Sequence, residues 1–213
     1  MLDFGVGWGR ISRFFLREVP KENIHGIDVT EEFVDICRET FGSGNFHVTT
    51  PFPPTDIPSA SITHVVGYSV FSHLSEEACA AWMKDRILAP GGVVALTTRG
   101  RTFFDFCESL GGKREEGYLG ALATSFDDFA DARRRYDQGE FVHSNAEGVA
   151  GGGAMSSEFY GETFIPQAYA VKAYAPGFEL INFQPEETRR PNRFWKRQKA
   201  NPRPHPIMFF KKL

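Results

Sequence analysis

The sequence predicts an α/β protein built on a doubly wound, mostly parallel sheet. Three observations carry this. The chain opens Leu2-Asp3-Phe4-Gly5-Val6-Gly7-Trp8-Gly9-Arg10, an apolar stub with an acid that runs into glycines spaced G-x-G-x-G. Short apolar strand patterns then alternate with helical patterns as far as residue 98, as repeated βα units do. The 213 residues suit one domain with a sizeable core.

The elements follow in order. Residues 2–4 are a short first strand, the glycines a tight turn, and residues 11–19 the first helix. Asn23-Ile24-His25-Gly26-Ile27-Asp28-Val29 is a second strand ending in an acid. Thr30 is expected to cap the next helix, with Glu31 and Glu32 in its first turn and Phe33, Val34, Ile36, Cys37 and Phe41 on its apolar side. Residues 46–48 are a third strand. Four prolines between Pro51 and Pro58 exclude a helix there. Residues 62–70 form a fourth strand, apolar enough to be buried on both faces. Ser75 caps a helix running to about residue 88, Pro90-Gly91-Gly92 makes a sharp turn, and residues 93–98 are a fifth strand.

Residues 101–160 are too long for an ordinary connection, which predicts helices and a lid. Residues 102–110 and 126–136 are the helical patterns; 148–153, with four glycines, is a candidate hinge. A helix over 167–175 leads into an antiparallel pair of strands, 178–183 and 206–210. Between them Arg189, Arg190, Arg193, Lys196, Arg197, Lys199 and Arg203 interleave with Phe194 and Trp195. This segment reads as a solvated hairpin, and alternatively as a grip on an anionic substrate or nucleic acid.

Composition narrows the function classes. The net charge of −3 and pI of about 6.1 give no overall push toward nucleic acid or membrane. No apolar run spans a bilayer, and no signal-peptide pattern opens the chain. The cysteines Cys37, Cys79 and Cys107 are scattered, which argues against a disulfide framework or a zinc site and predicts a reducing, cytoplasmic setting. No metal site is expected.

The glycine turn offers positive φ, close ligand approach and free N–H groups at a helix start. It is not the dinucleotide fingerprint G-x-G-x-x-G, because Arg10 stands where the third glycine would be. Asp28, nineteen residues after Gly9, sits where an acid at the end of a second strand meets ribose hydroxyls. His73 follows the fourth strand at the carboxyl edge of the sheet and is the first candidate for a general base. His143, Tyr160 and Glu162 are weaker candidates from the lid region.

Tyr68-Ser69-Val70-Phe71-Ser72-His73-Leu74-Ser75-Glu76-Glu77, followed by Ile87-Leu88-Ala89-Pro90-Gly91-Gly92, resembles the later motifs of small-molecule class I S-adenosylmethionine (SAM)-dependent methyltransferases. With the opening D-F-G-V-G-W-G-R and Asp28, the resemblance covers residues 1 to about 100 in the right order. It implies a Rossmann-like sheet of seven strands, the last antiparallel and the first shortened, with a helical lid insertion after the fifth. Residues 1–100 would be the SAM-binding core, 101–160 the substrate-binding insertion, and 161–213 the completion of the same sheet. By the same resemblance Asp3 and the turn of Gly5, Gly7 and Gly9 would border the methionine part of SAM. Asp28, with Val29 beside it, would hold the ribose. Pro51 and Phe52 would lie by the adenine, and Tyr68, Ser69 and Val70 would close over the methionine moiety.

The chain departs from the pattern in two places. Near the adenine it offers only Asp56, several residues late. Early in the fourth strand it has Thr63 and His64 in place of an acid. Relatives place helices before the first strand, so the chain reads as shortened at its N-terminus. The expected activity is methyl transfer from SAM to a small-molecule or sugar-containing acceptor, leaving S-adenosylhomocysteine. A nucleic-acid methyltransferase and a non-catalytic protein of the same fold are the alternatives. Oligomeric state is not legible.

Overall fold

A computed structural model describes residues 1–213 apart from 43, 112–115, 147, 150–154 and 187–204. The strands are β1 (Leu2–Phe4), β2 (His25–Asp28), β3 (Phe46–Val48), β4 (Ile62–Gly67), β5 (Leu88–Thr97), β6 (Val142–Ser144), β7 (Glu162–Phe164), β8 (Phe178–Gln184) and β9 (Ile207–Lys212). The helices are α1 (Ser12–Phe15), α2 (Glu31–Phe41), α3 (Glu76–Met83), α4 (Arg101–Leu110), α5 (Gly117–Ala123), α6 (Phe129–Asp137) and α7 (Gln167–Tyr174). Seven strands make the main sheet in the order β3-β2-β1-β4-β5-β9-β8. β1 to β5 pair in parallel, and β9 enters antiparallel between β5 and β8. This is the doubly wound α/β sheet with an antiparallel last strand that was expected. Short as it is, β1 holds a central position, because Leu2 and Phe4 are buried between the sheet and α3.

Several boundaries differ from the sequence-based expectation, each for a local reason. The first helix is one turn, Ser12–Phe15, not 11–19, and it leaves Phe14 64 % exposed. Thr30 stands at the α2 N-cap without making a side-chain cap; Asp28 Oδ1 accepts from the Thr30 N–H instead, at 3.0 Å. β4 ends at Gly67 and is not buried on both faces: Thr63 and His64 are exposed. Pro90-Gly91-Gly92 is not a turn ahead of β5 but a bulge inside it. Ile62 pairs with Leu88 and His64 with Val93, so the three residues are extruded, with Gly91 at φ +74°. Ser75 does cap α3, its Oγ accepting from the Ala78 N–H, but the helix stops at Met83. Asp128 caps α6, accepting from the N–H groups of Ala130 and Asp131, so that helix starts later than 126.

Two cores result. The larger lies between the sheet and α3 and α7, around Leu2, Phe4, Trp82, Met208 and Phe210. The second is the insertion after β5, where α4, α5 and α6 pack with β6 and β7 around Phe104, Leu122, Val142 and Phe164. There Phe104 and Phe164 stack at 3.8 Å; burying each ring contributes roughly 1.5–3 kcal/mol. On the other face of the main sheet, the brevity of α1 leaves an open concavity of about 820 Å³ between Phe15 and Val19 and the strand residues His64, Val66 and Phe209. No helix among the described residues is long and apolar enough to cross a membrane. The expected hinge at 148–153 lies mostly outside the described residues, and the basic stretch 189–203 lies wholly outside them.

Candidate active site

The glycine turn joins β1 to α1 at the carboxyl edge of the sheet, where such folds bind ligands. Gly5, Gly7 and Gly9 all have left-handed φ, at +71°, +52° and +82°. A Cβ on Gly5 would stand 2.3 Å from Val70 Cγ2, and one on Gly9 would stand 2.6 Å from Phe41 Cε2. Those two glycines therefore serve close packing. Gly7 differs: nothing lies within 4 Å of a Cβ built there, so its outer side is free for a ligand. Asp28 ties the turn to β2, its Oδ2 accepting from the Gly7 N–H at 2.9 Å.

Beside the turn lies a cavity of about 200 Å³. Of the residues expected to hold cofactor, Gly5, Asp28, Val29, Pro51, Ser69 and Val70 line it. Asp3 does not. Its carboxyl is buried and accepts from Ser12 Oγ at 2.7 Å, and burial pushes its pKa up to about 7. Gly7 and Gly9 lie outside the lining. Phe52 packs instead against the core and Phe159. Tyr68 sits beneath the Arg10 guanidinium, 5.2 Å from its ring centroid, and edge-on to His205.

Other lining residues were not singled out for the cofactor from the sequence. Thr49, one residue past β3, is among them; its Oγ1 is buried with no protein partner. Its position at a strand's carboxyl end was the available signal. Trp82 also lines the cavity, its Nε1 donating to the Pro51 carbonyl at 2.8 Å. Met155, Phe159 and Tyr160 arrive from the insertion. Tyr160 had been noted only as a weak candidate base, and no local pattern points to Met155 or Phe159.

His73 stands behind this wall and does not line the cavity. Residues 72–75 run antiparallel to 159–163: the Ser75 N–H donates to the Phe159 carbonyl, the Gly161 N–H to the His73 carbonyl and the Thr163 N–H to the Ser72 carbonyl. The His73 ring stacks on Tyr160 at 4.8 Å with 1° between planes. Its Nδ1 meets the Gly161 carbonyl at 2.7 Å. A carbonyl only accepts, so Nδ1 carries the proton and Nε2 is left with a lone pair. Ser69 Oγ donates to that Nε2 at 3.4 Å. Burial, then the Arg99 charge, hold the His73 pKa down to about 3, so the imidazole stays neutral. Ser69 itself has φ +62°, an uncommon conformation for a non-glycine, and its N–H donates to Thr97 Oγ1 at 2.7 Å.

Farther back lies a buried polar cluster. Arg99 Nε donates to Glu162 Oε2 at 2.5 Å, and Tyr118 donates to Oε1 of the same carboxyl. Arg99 also reaches Tyr118 and His205 and lies 4.1 Å above the Phe103 ring. Burial raises the Glu162 pKa, opposed by Arg99. His143 Nδ1 donates to Thr163 Oγ1, whose own proton goes to the Leu74 carbonyl. These residues join the end of β5, the insertion and the start of β9 in one network.

The cavity fits a nucleoside-bearing methionine derivative. The Gly7 side of the turn is open, and each Asp28 oxygen keeps a lone pair for a ribose hydroxyl.

Comparison with known proteins agrees. Residues 1–92 match the family model of a methyltransferase domain. No curated protein matches this sequence. Solved structures similar in fold include a SAM-dependent methyltransferase from Mesorhizobium loti, 12 % identical, with a TM-score of 0.62 over 100 % of this chain and 89 % of that one. A putative SAM-dependent methyltransferase from Listeria monocytogenes is 15 % identical, with a TM-score of 0.58 over 100 % and 90 %. A third, from work on conversion of a disulfide bond into a thioacetal group during echinomycin biosynthesis, is 12 % identical, with a TM-score of 0.57 over 99 % and 75 %. Residues 1–92 are thus a methyltransferase domain, and the chain has the fold of SAM-dependent methyltransferases. It is an enzyme of that type, with SAM as its cofactor.

Proposed function

We infer that the enzyme transfers the methyl group of SAM to an oxygen or nitrogen of a small-molecule acceptor. The observation that carries this is the wall made by Phe159, Tyr160 and Met155. These residues line the cavity with aromatic and apolar side chains, as small-molecule sites are lined. When bound, SAM supplies a reactive methyl group on a sulfonium centre.

The chain's residues position the partners. Gly5, Gly7, Asp28, Val29 and Thr49 hold the nucleoside and methionine parts. Pro51 and Trp82 bound the base side, while Ser69, Val70 and Tyr160 face the acceptor. His73 acts through Ser69, holding that hydroxyl with Nε2. The echinomycin-biosynthesis neighbour concerns a small molecule. Three buried free thiols suit a reducing compartment.

Methyl transfer from labelled SAM to pooled small molecules, sugars, proteins and RNA tests the reading. Label in a small-molecule pool is the expected result. Label confined to RNA or protein refutes the acceptor class.

A further inference from the structure

We propose that the acceptor is an uncharged, largely apolar molecule whose nucleophile is a hydroxyl or amine still carrying its proton, and that Ser69 selects it by accepting that group's hydrogen bond. This rests on the methyltransferase reading above and deepens it.

The argument starts from one proton. The Gly161 carbonyl fixes the His73 proton on Nδ1, and the Tyr160 stack holds the ring in plane. Gly161 has to be glycine for this: a Cβ there would stand 2.1 Å from the Ser144 carbonyl oxygen. His73 Nε2 is therefore an acceptor, and Ser69 Oγ is the donor that meets it. A hydroxyl has one proton. Ser69 lines the cavity, and with that proton committed to Nε2 its Oγ keeps only lone pairs for a further partner. Lone pairs welcome an O–H or N–H and repel a carboxylate or phenolate. A neutral His73 keeps this polarity across the neutral pH range.

Charge and shape point the same way. Among the described residues lining the cavity, Asp28 is the one charged side chain, and it is an acid. Two nearby cations lie outside the lining: Arg99 spends its donors on Glu162, Tyr118 and His205, and Arg10 sits over the Tyr68 ring. Nothing described there would pair an anionic acceptor. Leu74, Met155, Phe159 and Tyr160 supply an apolar surface for the rest of the molecule.

The test uses the full chain, saturated with S-adenosylhomocysteine, and three probes of one shape: 2-naphthol, 2-naphthoate and 2-methoxynaphthalene. Calorimetry is expected to show naphthol binding about tenfold or more tighter than either other probe, as a site built for a hydroxyl rejects its analogues. Ser69→Gly removes the hydroxyl while its φ of +62° suits glycine, so the variant folds. In it the naphthol-to-methoxynaphthalene ratio should collapse to near one. Naphthoate binding as tightly as naphthol, no preference among the probes (absent binding included), or an unchanged ratio in Ser69→Gly overturns the proposal. Binding of S-adenosylhomocysteine by the wild-type chain, measured first, separates the two failures: its loss sinks the cofactor reading, and its retention confines failure to the acceptor.

Discussion

The two walls of the cavity are built in different ways. The glycine-turn wall comes from residues 3–30 and is made of backbone: three left-handed glycines and the Asp28 carboxyl receiving the Gly7 and Thr30 N–H groups. The opposite wall joins Ser69 and His73 to Tyr160, Gly161 and Glu162, about ninety residues farther on, with side chains buried in a polar network. The first wall is tied by hydrogen bonds within residues 7–30, with Gly5 packed on Val70 and Gly9 on Phe41. The second exists only if the insertion docks on the sheet, and its buried charges make that docking all or nothing.

The largest effect expected from breaking this contrast is at Arg99. Arg99→Met strands the Glu162 carboxyl in the interior and should cost about 3–5 kcal/mol in chemical denaturation. Arg99→Met with Glu162→Gln should recover much of that loss; no recovery would show that Glu162 does not depend on Arg99. On the other wall, Asp28→Ala should leave stability nearly intact. Its SAM affinity should fall on the order of 100-fold by calorimetry, about 2.7 kcal/mol, since it removes the proposed ribose partner and frees the turn. Gly7→Val should lose SAM binding as well, because it both strains φ and fills the open side. Wild-type affinity in both variants would break the assignment of this wall to the cofactor.

Next come opposite pH slopes. His73 has its folded pKa depressed to about 3 from 6.5, so the stability it confers is present above pH 6.5 and is lost as pH falls toward 3. Asp3 has its folded pKa raised to about 7 from 3.8, so its contribution is present below pH 4 and is lost as pH rises through 7. Between pH 4 and 6.5, His73→Asn should make stability rise less steeply with pH, by about 1.4 kcal/mol per pH unit. Asp3→Asn should make it rise more steeply by about the same amount. Denaturation midpoints at three pH values read both slopes; equal signs would refute the placement of one of the two groups. The smallest effect is at Ser75, whose cap on α3 lies next to the pairing of residues 72–75 with 159–163. Ser75→Ala should cost about 1 kcal/mol, visible as a small shift in thermal midpoint.

The legibility of the site follows the same division. Gly5, Asp28, Val29, Pro51, Ser69 and Val70, named from spacing and from family resemblance, line the cavity, because a turn that needs positive φ and a strand-end acid leave marks within a few residues. Asp3, Phe52 and Tyr68 belong to the same motifs, yet their side chains turn to Ser12, to the core and to Arg10. A motif locates a backbone; the direction a side chain takes depends on what packs beside it. The strand bulge at Pro90-Gly91-Gly92 went unseen for a related reason, since only pairing with β4 distinguishes a bulge from a turn.

By itself the sequence determined the βα order, the glycine turn, the acid that ties it and the class of cofactor, all of which rest on local backbone conformation and periodic burial. Tertiary structure alone decided that Tyr160 and Phe159 line the cavity, that His73 sits behind Ser69 with its proton on Nδ1, and that Arg99 and Glu162 pair. Those depend on contacts between segments far apart in the chain, where no spacing rule acts and only the docking of the insertion brings donor to acceptor.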